Sequence, residues 1–157
     1  MARKARSPSF SYLKPASAVS SRVKSRNRRS NTIHEVILRR ELWRSGLRYR
    51  KNVEDLPGKP DIVFATARVI VFCDGDFWHG RNWRILKSKL RQGANAQYWL
   101  AKIASNIQRD KRITKSLQKA GWQVVRLWET DIKRNPTNAA IHIKRIVSSR
   151  LALNQKC

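Results

Sequence analysis

Acidic residues are scarce in this chain. Ten Asp and Glu stand against 35 Lys and Arg in 157 residues, a formal net charge of +25. A pI near 11.5 makes a polyanionic partner the first inference, because Lys and Arg neutralise phosphates and release counterions. Charge names the partner class and not the activity. Ribosomal-type proteins, nucleases, DNA-binding factors and anionic-membrane binders all share it. Cysteine is nearly absent as well. Cys73 and Cys157 are too few for a disulfide framework, and no Cys/His cluster has zinc-ligand spacing, so a reducing intracellular setting is expected. No apolar run reaches the roughly 18 residues of a membrane-spanning helix, so no membrane association is expected. The basic, Ser-rich N-terminus is not followed by an apolar stretch, so no secretory signal is expected.

What is present is enough for a folded core. The hydrophobic share is 41%, with six tryptophans, and the length suits a single domain. Residues 1–30 hold nine Lys or Arg and no acid, which predicts a flexible basic arm ordered only on binding; residues 31–157 form the folded domain. Asn31 or Thr32 can cap a helix with Glu35 in its first turn and an apolar stripe from Ile33 to Leu42, ending near Gly46. "LRYRKNV" reads as a short edge strand, "LPGKP" as a turn, and "DIVFA" with "RVIVFCDG" as a hairpin. A long helix is predicted over roughly 95–120, capped by Gly121, then the strand "WQVVRLWE" and a last helix from about Pro136 to Leu153. That order predicts an α/β fold, a central mixed sheet flanked by helices.

Three of the ten acids fall in the 28 residues "LPGKPDIVFATARVIVFCDGDFWHGRNW". Asp61 begins one strand-like run and Asp74 ends the next, and in a hairpin the start of one strand lies beside the end of its partner. Two carboxylates meeting in a cationic surface suit a hard divalent ion such as Mg²⁺, which could activate water and clamp a phosphodiester. Pro60-Asp61 and Asp74-Gly75 are also ordinary turn pairs, but two strand-end acids, a nearby histidine and the basic background together favour a nuclease. His79, five residues past Asp74, reads equally as a general acid or base or as a structural hydrogen-bonder. Phe77 and Trp78 read either as core or as a wedge between bases.

The residues so quoted resemble the very-short-patch-repair (Vsr-type) mismatch endonucleases, a branch of the PD-(D/E)xK superfamily. "KSRNRRSNTIHE" is similar to the family's N-terminal signature, "LRYRKNVEDLPGKPDIVF" to its first strands and "VFCDGDFWHG" to its core motif. "YWLAKIASNIQRDKRITKSLQKAGWQVVRLWETDI" is similar to its following helix and strand, with Asn106, Arg109-Asp110 and Gly121-Trp122 in register. The resemblance implies a restriction-endonuclease-like fold and a Mg²⁺-dependent DNA endonuclease that nicks beside a T:G mismatch left by cytosine deamination. It makes Asp61 the essential metal-binding acid, with the main-chain carbonyl of Cys73 as the second metal contact, Glu35 beside a metal-bound water, and His79 a base or phosphate contact. Asp74 stands where some members have His and others Asp, and the pairing of strand-end acids makes it the other expected metal ligand. Phe77 and Trp78 match intercalating aromatics, while Arg81, Lys24, Arg26 and Arg28 are expected at the duplex.

Two features depart from the family's pattern. Asp76, Arg81, Trp83 and Thr130 occupy the positions of a structural zinc's ligands, so no zinc is expected, with packing by Trp83 in its place. Lys24 stands where the family has a methionine wedge. Double-stranded DNA is the expected partner, with a cytosine methyltransferase or mismatch-repair proteins as possible associates. A monomer in the bacterial cytoplasm, associated with the nucleoid, is the expected state. A sequence-specific restriction-type endonuclease and a non-catalytic nucleic-acid binder are the alternatives.

Overall fold

The computed structural model describes residues 31–155; the basic arm, including Lys24, Arg26 and Arg28, lies outside the described residues, as does Cys157. Helix α1 spans Ile33–Arg44, strand β1 Arg50–Lys51, β2 Ile62–Phe64 and β3 Val69–Asp74. Helices α2 (Trp83–Arg91) and α3 (Ala96–Lys119) then lead to β4 (Gln123–Trp128), and α4 (Glu129–Arg134) and α5 (Pro136–Asn154) complete the order. The four strands form one mixed sheet in sequence order: β1, β2 and β3 run antiparallel and β4 lies parallel to β3. The expected α/β architecture, a central mixed sheet with helices on its faces, is what the chain adopts. Among the described residues no helix is long and apolar enough to cross a membrane.

Strand alternation sorts the core into two layers. Ile62, Phe64, Val69, Val71 and Cys73 join Leu38 and Leu42 of α1 and Ala140, Ile143 and Val147 of α5. Val63, Ile70 and Phe72 point the other way and meet Leu117 of α3. Because side chains change face at every residue, Asp61 and Asp74 share the second face, the one α3 covers.

Helix ends follow local chemistry. After α1, Gly46 N–H bonds Trp43 O at 3.0 Å and Leu47 N–H bonds Leu42 O at 3.1 Å. After α3, Gly121 N–H bonds Gln118 O and Trp122 N–H bonds Leu117 O, both at 3.0 Å. Both are Schellman ends with a glycine in the left-handed region (φ 84° and 82°). Asn135 Oδ1 accepts Asn138 N–H at 3.0 Å, capping α5 with Pro136 in its first turn.

Three expectations are corrected. The side chain of Thr32 does not cap α1; Glu35 accepts instead, from Asn31 N–H at 2.9 Å and Thr32 Oγ1–H at 2.7 Å. The segments after Asp74 and after Trp128 contain helices α2 and α4 that periodicity did not reveal. Both are short, nine and six residues, and α2 buries no residue, so their apolar positions are too few to stand out as a helical period. The edge strand shrinks to Arg50–Lys51, because Asn52 N–H and Val53 N–H bond Asp61 O and Pro60 O in a loop continuing the ladder.

Gly80 pins the loop between β3 and α2 to α3. Its φ is +70°, and a Cβ there would lie 2.5 Å from Ile107 Cδ1 and 3.1 Å from Ile103 Cγ2. Gly80→Ala therefore meets both backbone strain and overpacking, and its urea unfolding midpoint is expected to reflect a loss of about 2 kcal/mol or more.

Candidate active site

The hairpin delivers its two carboxylates to one end of the sheet. Cys73 N–H donates to Asp61 Oδ2 at 2.7 Å, fixing the start of β2 against the end of β3. Among the described residues Asp61 Oδ1 takes no hydrogen bond. Asp74 is buried, and both its oxygens are held by Arg126 of β4: Nε to Oδ2 at 2.6 Å and Nη2 to Oδ1 at 2.7 Å. The parallel register that sets Phe72 beside Arg126 and Asp74 beside Trp128 makes this fork-to-fork geometry possible. Burial alone would weaken the Arg126 proton, yet its bonds to Asp74 and the charge of Asp110 hold its pKa above the ordinary value.

Helix α3 brings the second half of the cluster. Asp110 Oδ2 lies 2.5 Å from His79 Nδ1, while Asp74 Oδ1 stands 3.5 Å from the same nitrogen. With two carboxylates on Nδ1, the proton belongs there, and Nε2 is the nitrogen left to take or give one. Burial by itself would raise Asp110, but His79, Arg126 and Arg109 together hold its carboxyl below the usual value. The chain entering β3's far side comes from α1. Buried His34 Nε2 lies 3.3 Å from Cys73 O and 3.2 Å from Thr32 Oγ1, beside buried Glu35. Glu35 and Asp74 both push Asp61 upward electrostatically. Four of the expected site residues, Glu35, Asp61, Asp74 and His79, thus converge with the Cys73 carbonyl.

Comparison with known proteins decides what this cluster belongs to. A sequence model described as DNA mismatch endonuclease Vsr matches residues 14–85. The chain is 39% identical over 129 residues to the type II nicking enzyme V.NmeDIP of Neisseria meningitidis serogroup C, covering 82% of this chain and 86% of that one. This chain belongs to the Vsr family. It is similar also to the type II nicking enzyme V.HpaIIP of Haemophilus parainfluenzae, 35% over 128 residues, 82% of this chain and 89% of that one. The DNA mismatch endonuclease Vsr of Escherichia coli K12 is 35% identical over 88 residues, 56% of this chain and 54% of that one. The protein is accordingly a DNA endonuclease of the Vsr type with the restriction-endonuclease-like α/β fold.

Beside the carboxylates of this Vsr-type site stands an aromatic group. Phe77, 37% exposed, meets Trp78 edge-on at 5.3 Å and Trp99 at 5.4 Å, and Trp78 lies 5.8 Å from Trp99. Buried Asn106 holds the loop by donating to Trp78 O at 2.9 Å. The positions that the resemblance equates with zinc ligands are wired to one another instead. Asp76 Oδ2 accepts the Thr130 hydroxyl, Asp76 Oδ1 lies 3.5 Å from Arg81 Nη1, and Arg81 Nη2 donates to Asp131 Oδ1 at 2.8 Å. This tie between the loop and α4 is polar and made by Arg81, while Trp83 is half-buried in the first turn of α2. The Arg81 guanidinium, expected at the duplex, is turned toward two carboxylates.

Arg126, Asp110, His34 and Trp99 were not among the expected site residues. Signals for two of them are visible in retrospect. Asp110 interrupts the inward stripe Ile103, Asn106, Ile113, Leu117 of α3, where an acid is costly unless paired. Arg126 is a lone cation inside the strand "QVVRLW". Nothing local marks His34 or Trp99.

For a divalent cation, the residues present fit a sparse ligand set. Among the described residues no group of three or more His, Cys, Asp or Glu side chains forms a ready-made metal nest. Arg126 engages both Asp74 oxygens, so the available donors are Asp61 Oδ1 and the Cys73 carbonyl, which also accepts from His34. A small hard ion that keeps several waters suits so few protein donors. Burial, outweighing the Cys73 N–H bond and reinforced by Glu35 and Asp74, pushes the Asp61 carboxyl up to about 7 from 3.8, the mark of a negative charge lacking a counterion.

That shift sets a stability expectation. The folded chain holds the Asp61 proton more tightly than the unfolded one, so this contribution is full below about pH 4 and is lost as pH rises through about 7. Asp61→Asn keeps an acceptor for Cys73 N–H without the charge. In metal-free buffer it is expected to match its parent near pH 4 and to exceed it above pH 7 by on the order of 2–4 kcal/mol, measured by urea unfolding at each pH.

Proposed function

We propose that this Vsr-type endonuclease uses Mg²⁺ to nick one strand of duplex DNA beside a T:G mismatch. One observation carries the reading: a half-buried carboxylate with an unbonded oxygen, a His–Asp pair and an aromatic group led by exposed Phe77 meet at one end of the sheet. The names of the relatives, nicking enzymes and a mismatch endonuclease, support single-strand cutting and a mismatched substrate respectively.

Each residue has a part in this reading. Asp61 Oδ1 and the Cys73 carbonyl would hold the ion, and Asp74 would join them as a ligand only by giving up one of its two bonds to Arg126. A bound Mg²⁺ would supply Lewis-acid stabilisation of phosphoryl charge and a more acidic water. Glu35, already accepting from Asn31 and Thr32, has lone pairs left to orient a water. His79 Nε2 takes the water's proton while Asp110 holds the ring and balances the charge that forms on it. Phe77, Trp78 and Trp99 stack against bases at the mismatch. The arm of residues 1–30, with Lys24, Arg26 and Arg28, grips the backbone of the DNA that the folded domain, residues 31–157, cuts. Arg81 secures the loop through Asp76 and Asp131. The protein acts as a monomer on nucleoid DNA in the cytoplasm, following a cytosine methyltransferase whose product deaminates to thymine, and can meet mismatch-repair proteins there.

Nicking of labelled duplexes with and without a T:G pair, in Mg²⁺ and in EDTA, tests this directly. Cutting of the mismatched duplex alone is expected, abolished in EDTA and by Asp61→Asn, and slowed about 10²–10⁴-fold by His79→Ala. Equal cutting of both duplexes would replace mismatch repair with a restriction-type role; tight binding without any cutting would leave a non-catalytic binder.

Because a proton and the ion compete for Asp61, Mg²⁺ affinity should depend on pH. The Mg²⁺ concentration needed for a fixed small rise in Tm is expected to increase about tenfold for each pH unit below about 7 and to level off above it. Asp61→Asn should show no such rise at any pH.

A further inference from the structure

Between Asp76 and Asp110 the chain has no acid at all, yet it carries seven Lys and Arg. Helix α2 lies inside that interval, entered through left-handed Asn82 (φ 52°) and left toward α3 through left-handed Asn95 (φ 60°). None of its residues is buried. Trp83, Leu86 and Leu90 recur at i, i+3 and i+7 and are half-buried, and the helix packs on α3. Arg84, Lys87 and Arg91 repeat the same spacing one residue on, and all three are exposed. Among the described residues none of the three pairs with a carboxylate.

That arrangement works against the helix itself. Like charges three and four residues apart repel on a helix surface, and nine residues are too few for a stable helix without help. A polyanion laid along the stripe removes the repulsion. Its location matters too. The loop bearing Phe77, Trp78 and His79 runs directly into α2, and α3 opens with Trp99 in its first turn. Helix α2 therefore bridges the two segments that build the aromatic group beside the candidate active site.

We propose that Arg84, Lys87 and Arg91 bind the phosphates of one DNA strand flanking the aromatic group, a backbone clamp separate from the cutting residues. The stripe extends about 10 Å at 1.5 Å per residue, the length of about three steps along a strand at a rise of about 3.4 Å, room for its three cations to meet one phosphate each. The proposal rests on duplex DNA being the substrate and is independent of mismatch preference and of the metal. The contacts are to phosphate, so they act alike on matched and mismatched sites.

The test is duplex binding by the full chain in EDTA, followed by anisotropy across a KCl series. The Arg84→Gln, Lys87→Gln, Arg91→Gln triple variant is compared with the parent and with an Arg134→Gln, Lys144→Gln, Arg145→Gln variant, whose exposed cations lie on α4 and α5. The α2 variant is expected to lower the slope of log K against log [KCl] by about 2.7, at 0.9 per phosphate, and to weaken binding by one to two orders of magnitude near about 100 mM salt. Lys87→Gln alone, too mild to disturb folding, should lower the slope by about 0.9. The α4/α5 variant should keep the parental slope. Equal slopes in parent and α2 variant, or equal losses in both triple variants, would overturn the clamp. A parent that binds duplex and loses slope on α2 substitution, yet nicks nothing, would keep the clamp and overturn the cutting mechanism instead.

Discussion

The bidentate pair between Arg126 and Asp74 is the constraint around which the site is arranged. Asp74 is buried at the end of β3, and a carboxylate there survives as an anion only with a fixed cation against it. Arg126 supplies that cation from the neighbouring parallel strand, and its ring neighbour Phe72 lies 4.6 Å beneath the guanidinium. Breaking one side of such a pair leaves an uncompensated buried charge, a cost of about 3–5 kcal/mol. The same guanidinium stands 3.5 Å from Asp110, so one arginine ties the end of the sheet to α3.

From that tie the rest of the chemistry follows. With Arg126 neutralising Asp74 and helping to neutralise Asp110, His79 Nδ1 meets two ordered carboxylates and its tautomer is set. Asp61 stands outside this arrangement: among the described residues its carboxylate accepts one N–H, from Cys73, and forms no ion pair. The site therefore has one pair of acids, Asp74 and Asp110, held by Arg126 around the His79 ring, and one acid, Asp61, with an oxygen left unbonded among the described residues. Two carboxylates thirteen residues apart, chemically identical, are given different work by their neighbours.

Around this centre the chain replaces what its family resemblance leads one to expect with polar side chains. Asp76, Thr130, Arg81 and Asp131 join the aromatic loop to α4 by hydrogen bonds and ion pairs, while Gly80 and Asn106 join the same loop to α3. The loop that carries both His79 and the aromatics is thus held from two sides. Helix α2, which follows it, is held on one side only and spends its free surface on cations.

The sequence by itself determined the sheet, the long helices and the hairpin, because β-branched runs, helical stripes and glycine ends are local signals. It also determined that Asp61 and Asp74 meet, since a hairpin brings strand start to strand end whatever else surrounds it. Which side chains those acids bond to was decided only by tertiary structure. Arg126 and Asp110 lie 52 and 36 residues beyond Asp74 in the chain, and no local pattern reports which side chains a parallel crossover will bring face to face. The two short helices were illegible for a related reason. The apolar stripe of α2 is only Trp83, Leu86 and Leu90, and α4 has six residues, so both are too short to be read from periodicity and depend on what they pack against.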